Sequence, residues 1–413
     1  MSDAGVRQEW TMFNDDKKAR ASYGDAPGPL SGIRVLDLTR VVMGPLATQI
    51  LADQGADVIM VEAVGGDTNR VMGPGPHPEL SGVALNLLRN KRSIDVDLKS
   101  DDGRDTVRRL IETSDVVVAT MRPHVLTRLG LDYDAVSAIR PDVVYCQAQG
   151  FPLDSERAND PAYDDIIQAA SGVSDMMEQV WGKPALLPTI FADKVCGLIM
   201  AQAICAALLH RERTGLGQHV EVPMQQAMSA FMLAEHGAGA ISEPPINAPG
   251  RPAAGYPRVL SAERRPHVTK DGQVHLFPYL PKHYAAIFAE AGVANAGSDP
   301  RYVDQRATLV NSDSLYADIR RIAPLRTTQE WLDYCRDTGI PATEVAKLQD
   351  LVDALPLTEH PATGDYRVIP QMSNFSSTPG GLRRPAPLIG EHTAEVLEEL
   401  DHADAATGGP DAS

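Results

Sequence analysis

Residue types that could do chemistry converge on one stretch, PTIFADKVCGLIMAQAICAALLHRERTGLGQ (188–218), where a single carboxylate, Asp193, stands directly ahead of the most apolar run in the chain. Asp is a preferred helix N-cap because its oxygens accept hydrogen bonds from unpaired N–H groups of the first turn. The same position suits a nucleophile. The partial positive charge of a helix start favours the ionised carboxylate, and its free N–H groups can stabilise an oxyanion. Local sequence leaves both roles open.

Cations form the second group. Arg40, Arg70, Arg122 and Arg128 fall in the segments TRVVMGP (39–45), EAVGGDTNR (62–70) and TMRPHVLTRLG (120–130). Guanidinium groups gathered on one edge would form a pocket for a phosphorylated ligand. Several other chemistries lack their anchors: there is no P-loop, no HExxH and no GxSxG. Glu62 stands where the acid of a nicotinamide site would follow a first β-loop-α unit. However, TRVVMGPLATQ supplies only Gly44 where that fingerprint needs several glycines for close approach of a pyrophosphate.

The elements that must position these residues are legible as a βα series. IRVLDL (33–38), DVIMVE (57–62), DVVVAT (115–120) and DVVYCQ (142–147) are short apolar runs bounded by turn residues. Between them lie GPLATQILADQGA, with Pro45 in a first turn and Gly55 as a stop, DDGRDTVRRLIETS (101–114) and LDYDAVSAIRP (131–141), each at helical spacing. Strands apolar on both faces and alternating with helices predict a parallel sheet, and hence an α/β fold with its ligand at the carboxyl ends of the strands. After the Asp193 helix, GQHVEVPM (217–224) predicts a strand and QQAMSAFMLAEHGAGA a helix. The Pro- and Gly-rich stretch 242–258 predicts a linker. RPHVTKDGQVHLFPY then predicts a hairpin around Asp271-Gly272, and TQEWLDYCRDTG a helix stopped by Gly339.

Composition bounds the partners. The 413 residues, 43% apolar, exceed one ordinary core and can fill two. A net charge of -17 argues against nucleic acid or an anionic membrane. Cys146, Cys196, Cys205 and Cys335 show no metal-ligand spacing and read as buried, reduced thiols of a cytoplasmic protein. No secretory signal opens the chain, and the run Val195–Leu209, interrupted by Gly197 and Gln202, reads as a buried core helix rather than a bilayer span.

Taken together, PLSGIRVLDLTRVVMGPLATQILADQGADVIMVE, NKRSIDVDLKSDDGR (90–104), RPHVLTRLGLDYD (122–134), RTGLGQHVEVPM (213–224), GIPATEV (339–345) and PLIGEHTAEVLEEL (387–400) resemble the family III CoA-transferases. That group includes formyl-CoA and carnitine CoA-transferases and, as a divergent branch, the α-methylacyl-CoA racemases. The resemblance implies a large Rossmann-like domain whose sheet is built with both chain ends, a smaller α+β domain, and a homodimer of interlocked subunits. In this sequence the division becomes a polar arm (1–28), a large CoA-binding domain (29–241), a linker (242–258), a small domain (259–350), a return linker with the C-terminal part of the large domain (351–403), and a disordered tail (404–413).

The resemblance also implies roles. Asp193 matches the nucleophile that forms aspartyl anhydride and aspartyl-CoA thioester intermediates. Val42, Met43, Val96, Asp97, Leu98, Lys99, Thr120, Met121, Arg122 and Arg128 match positions that contact coenzyme A, here a substrate rather than a tightly bound cofactor. The co-substrate is a carboxylic acid, and no metal is implied. Tyr163 and Asp164, in PAYDDIIQAASG (161–172), occupy the place of the racemases' His-Asp pair. Tyrosine ionises too high to abstract an α-proton at neutral pH, and PYLPKHY (278–284) lacks the racemase acid. Transferase is therefore favoured over 2-methylacyl-CoA racemase, with an NAD-dependent dehydrogenase and a non-catalytic CoA-binding protein as the readings from other classes. Val42 replaces the formyl-CoA transferases' Gln, which points to an acid bulkier than formate or oxalate. Ala63 replaces a basic residue found after the second strand in some members.

Overall fold

The computed structural model describes residues 21–24, 27–247 and 252–407. Most of the polar arm, four linker residues and the end of the tail lie outside them.

In chain order the elements are β1 (Arg34–Leu38), α1 (Met43–Asp53), β2 (Asp57–Glu62), α2 (Gly82–Leu87), β3 (Lys91–Asp95), α3 (Asp101–Thr113), β4 (Val116–Ala119), α4 (Pro123–Leu129), α5 (Tyr133–Ile139), β5 (Val144–Gln149), α6 (Asp164–Ala170), α7 (Val173–Trp181), α8 (Phe191–Thr214), β6 (Gln218–Pro223) and α9 (Met224–His236). The chain continues through β7 (His267–Val268), β8 (Gln273–Leu276), α10 (Pro281–Glu290), α11 (Gln305–Val310), α12 (Ser312–Ile322), α13 (Thr328–Thr338), β9 (Ala342–Glu344), α14 (Leu348–Asp353), β10 (Leu357–His360), β11 (Gly364–Arg367) and α15 (Thr393–Thr407). They form two compact units, one of Met1–Ser171, Pro188–Ser229 and Val352–Ser413, the other of Gly172–Leu187 and Ala230–Leu351.

The first unit is α/β. Its sheet is fully parallel, in the order β3-β2-β1-β4-β5-β6. This is the doubly wound order, in which the direction of winding reverses between β1 and β4 and opens a crevice at their carboxyl ends. The strands are buried because helices cover both faces; Leu36, Ile59, Val117 and Tyr145 share one core with Leu110 of α3 and with Val396 and Leu400 of α15. The far C-terminus thus completes a core begun by β1.

One strand escapes an apolar-run reading. β3 is KRSID, yet Lys91 and Arg92 are buried. Each charge is neutralised: Lys91 by Asp37, and Arg92 by Asp57, Glu395 and Glu399. Burying an ion is tolerable only when it is paired and hydrogen-bonded.

The Asp193 helix also differs from expectation. α8 begins at Phe191 and ends at a left-handed Gly215. Its buried residues, Ala192, Asp193, Cys196, Gly197, Met200, Ala201, Ile204 and Ala207, recur every three to four positions and make one stripe. The stripe packs on α1, α6, β5 and β6, whereas Leu198 and Leu209 on other faces are about half exposed. The helix is therefore one-sided rather than enclosed. By length and composition alone it is apolar enough to cross a membrane.

The second unit holds an antiparallel sheet, β7-β8-β9, turned at Asp271-Gly272 as the sequence predicts. Val274, Tyr284, Phe288, Tyr316 and Trp331 fill its core. The Thr327/Glu330 capping box starts α13, and left-handed Gly339 stops it. Residues 172–187 and 230–241, placed with the large domain in the sequence reading, group with this unit instead. The end of α9 is held there by bonds from the Gly255 and Tyr256 N–H groups to the carbonyl and Nδ1 of His236. The return segment contains a hairpin, β10-β11, not a bare linker. Residues 404–407, read as disordered tail, continue α15: Arg109 pairs with both Asp401 and Asp404, and alanine favours the helix.

Candidate active site

Asp193 occupies the third position of α8, so it is not the cap. Ile190 holds the cap position and offers no side-chain acceptor. Asp164, at the start of α6, serves instead: its Oδ1 accepts the Asp193 N–H at 3.1 Å. Gln168 secures that acid by donating to Asp164 Oδ2 at 2.6 Å and to the Thr189 carbonyl at 3.2 Å. One buried carboxylate thus supplies the orphan-donor partner that the helix carrying the other lacks.

The Asp193 carboxylate is buried and accepts the backbone N–H of Met43, the first residue of α1. Burial, and next the Asp164 charge, push its pKa from 3.8 up to about 6, while the Met43 N–H pulls the other way. At neutral pH it is mostly ionised, yet desolvated and more basic than an ordinary Asp. Cys196, one turn on, is kept a neutral thiol, its pKa pushed to about 12 by burial.

Close approach of α1 to α8 makes the Met43 contact possible. Gly197 lies on the same face of α8 one turn after Asp193, and a Cβ there would sit 2.7 Å from the Met43 carbonyl oxygen. The loop before α1 is equally tight. At Gly44 a Cβ would fall 2.2 Å from that of Thr39. Val41 holds φ at 70°, a left-handed conformation unfavourable for a β-branched residue. Asp67 maintains it by accepting the Val41 N–H at 3.0 Å and pairing with Arg40 at 3.3 Å. Strain retained this way is a mark of functional loops.

The sequence-derived CoA positions divide in two. Val42 and Met43 are buried where the β1–α1 loop enters α1, Met43 acting on Asp193 and Val42 packing with Leu46, Met60 and Leu80; Thr120 and Met121 follow β4 on the other side of the winding reversal, where Thr120 Oγ1 accepts the Arg40 N–H at 3.1 Å. Val96 is buried after β3, and Asp97, Lys99, Arg122 and Arg128 are exposed. Among the described residues none of Lys99, Arg122 and Arg128 has an ion-pair partner. A cavity of about 190 Å³ opens between the α3 and α4 segments, lined by Leu98, Arg104, Leu129, Leu131 and Ile139. Its neighbours in the chain are Lys99, next to Leu98, and Arg128, next to Leu129. Leu129 and Ile139 escaped the sequence reading because an apolar lining looks like core.

Two expectations are corrected. Arg70 is not a free cation: it is buried against Glu62 and also donates to the carbonyls of Glu79 and Pro387. Glu62 in turn accepts from Arg70, Ser93 Oγ and the Asp67 N–H, so its carboxylate is saturated and cannot serve a ribose. That removes the acid a dinucleotide site would need. Tyr163 precedes α6 with its side chain 68% exposed, so of the Tyr163-Asp164 pair only Asp164 meets Asp193.

Comparison with known proteins agrees with this geometry. The sequence pattern of CoA-transferase family III matches residues 30–393. The chain is 33% identical to the succinate–glutarate CoA-transferase of Agrobacterium fabrum, over 90% of this chain and 96% of the relative. It is 30% identical to the succinyl-CoA:mesaconate CoA-transferase of Haloarcula marismortui, over 90% and 96%. A CaiB/BaiF family crystal structure from Brucella suis superposes with a TM-score of 0.74 at 28% identity, covering 91% of this chain and all of that one.

Proposed function

The chain belongs to CoA-transferase family III, and on that premise we propose that it moves CoA from an acyl-CoA thioester to a free carboxylic acid through covalent intermediates on Asp193. The observation that carries this reading is a buried carboxylate in the first turn of α8, its own N–H held by Asp164 and the start of α1 packed closely against its helix. The Asp193 oxygen attacks the thioester carbonyl, and collapse of the tetrahedral adduct expels CoA thiolate and leaves a mixed anhydride. The thiolate attacks the aspartyl carbonyl, releasing the donor acid as its carboxylate and forming aspartyl-CoA thioester. An incoming carboxylate then attacks that thioester, the thiolate leaves again, and its attack on the new acyl carbonyl yields the product thioester and free Asp193. The Met43 N–H at the start of α1 is the donor in place to favour each oxyanion.

For CoA, Lys99, Arg122 and Arg128 supply the phosphate cations, and the cavity of Leu98, Leu129 and Ile139 takes the base. Val42 stands in the β1–α1 loop where the formyl-CoA transferases carry Gln, and loss of that polar side chain supports an acid bulkier than formate or oxalate. The named relatives act on succinate, glutarate or mesaconate, which makes short dicarboxylates the first acids to assay. Ile166 on α6, Ile190 at the cap of α8, and Leu198 and Leu209 on α8 expose apolar surface, which supports an interlocked homodimer that covers them.

Asp193→Asn tests the centre. With acyl-CoA as donor and hydroxylamine as trap, the native enzyme gives an aspartyl hydroxamate at Asp193 and the variant gives neither hydroxamate nor CoA transfer. Retention of transfer by Asp193→Asn overturns the assignment.

A further inference from the structure

Lys91 and Asp37 form a fully enclosed ion pair beneath the loop that reaches Asp193, and neither has been given a role above. Both side chains are 0% exposed. The Lys91 ammonium has three N–H donors and spends all three: on Asp37 Oδ2 at 3.0 Å, the Thr48 hydroxyl at 2.7 Å and the Pro45 carbonyl at 3.0 Å. Asp37 accepts from both sides of the loop. Its Oδ1 takes the Thr39 N–H at 2.9 Å and the Thr39 hydroxyl at 2.5 Å, and its Oδ2 takes the Thr48 hydroxyl at 2.5 Å.

A buried pair of this kind is a poor source of stability, because desolvating two charges costs about as much as their attraction returns. Where its bonds go is more informative. Thr39 begins the β1–α1 loop; Pro45 and Thr48 lie in the first two turns of α1. The pair therefore ties the two ends of a segment containing the strained Val41, buried Val42 and Met43.

We propose that Lys91 and Asp37 are positioning residues of the active site, fixing the β1–α1 loop so that the Met43 N–H points at Asp193. This rests on Asp193 as nucleophile. Releasing either end frees the start of α1 to shift even while Asp67 holds Val41, which swings Met43 and withdraws the donor. Asp193 is faced by Asp164 from α6, by the Met43 N–H from α1, and on its own helix by the neutral Cys196 thiol, while Lys194 is turned to Thr189 Oγ1 at 2.5 Å. Loss of the Met43 bond leaves burial and Asp164 unopposed, and the carboxyl becomes harder to ionise.

The test uses Asp37→Asn/Lys91→Met, which removes both charges and leaves no lone buried ion, together with Thr48→Val, which removes only the hydroxyl between them. Circular dichroism and thermal melting establish folding, and if the double variant does not fold, Thr48→Val alone decides. The expected result is a fall in kcat of about tenfold or more in the double variant and a smaller fall in Thr48→Val, with KM for acyl-CoA within a factor of about three. The acid limb of the kcat/KM profile moves to higher pH in both. A folded variant with a lower melting temperature but native kcat and an unmoved acid limb overturns the proposal and leaves the pair structural. Asp193→Asn separates the two ideas: if it retains transfer, the nucleophile assignment falls. If it is inactive while the Lys91, Asp37 and Thr48 variants match the native enzyme, only this inference falls.

Discussion

Asp164 accepts the backbone N–H of Asp193 at 3.1 Å, so one acid caps the helical turn that presents the other. The bond orients Asp193, and the charge behind it raises the Asp193 pKa. Orientation and charge can be separated by mutation.

Asp164→Asn keeps a carbonyl oxygen to accept the Asp193 N–H but removes the charge. The acid limb of kcat/KM is expected to move to lower pH, by less than the full displacement from 3.8 to about 6, because burial is the larger cause. Asp164→Ala instead leaves the Asp193 N–H without its acceptor and removes one acceptor of the Gln168 amide, and stability falls by about 1–3 kcal/mol. An acid limb that stays in place in Asp164→Asn would show that the two carboxyls do not interact electrically.

The raised Asp193 pKa carries a stability cost with a defined sign. An acid that holds its proton more tightly when folded stabilises the fold at low pH, and that contribution is lost as pH rises from 3.8 to about 6. Above this window the penalty is about 3 kcal/mol. Asp193→Asn is free of it, so this variant should resist urea better than the native enzyme at pH 7.5, with the difference gone below about pH 4. Equal midpoints at both pH values would contradict a desolvated carboxylate.

Much of this site was legible in the sequence, because its carriers are simple patterns. The apolar runs placed β1, β2 and β4 within one residue of their ends and β5 two residues early, and Asp193 was marked by the contrast of one carboxylate against an apolar helix. What stayed hidden depends on partners far along the chain. Lys91 and Arg92 disguise β3, since only Asp37, Asp57 and the α15 acids make their burial tolerable. Arg70 looked like a ligand cation because nothing local tells that Glu62 neutralises it. Gly197 was visible as a break in the apolar run, but its use as a contact point for α1 needs the packed pair.

Lys99 and Arg128 are exposed and have no ion-pair partner among the described residues, which leaves them available to phosphate. Each charge-assisted bond to a phosphate is worth about 1.5 kcal/mol or more, so Lys99→Ala and Arg128→Ala should each raise KM for acyl-CoA by about tenfold. KM for the carboxylic acid and kcat at saturating acyl-CoA stay near native. The salt dependence of KM should also weaken. A change in kcat alone would place these residues elsewhere than on the nucleotide.

Leu198 and Leu209 expose 46% and 51% of their surface on α8. An apolar helix face left this open in one chain calls for a cover, and in a homodimer the second subunit provides it. Leu198→Asp/Leu209→Asp should therefore shift the sedimentation coefficient from dimer toward monomer and abolish transfer, while the native chain sediments as a dimer at micromolar concentration. A native monomer with full activity would exclude the interlocked arrangement.

Gly197→Ala separates catalytic geometry from stability most cleanly. Alanine is the better helix former by up to about 1 kcal/mol, so propensity favours the variant. Against this, the new methyl would sit 2.7 Å from the Met43 carbonyl oxygen, and the neighbour is backbone, which cannot rotate aside. The start of α1 must retreat by several tenths of an ångström. That motion falls on the residue whose N–H meets Asp193, where small misplacements are expensive in rate: on the order of a hundredfold per ångström. The expected variant is folded, with a melting temperature within a few degrees of native, a kcat lower by about tenfold or more, and an acid limb moved to higher pH by loss of the Met43 bond. Calorimetry and the pH profile of kcat/KM measure both halves, and native kcat in a folded Gly197→Ala enzyme would show that the approach of α1 to Asp193 is not needed for transfer.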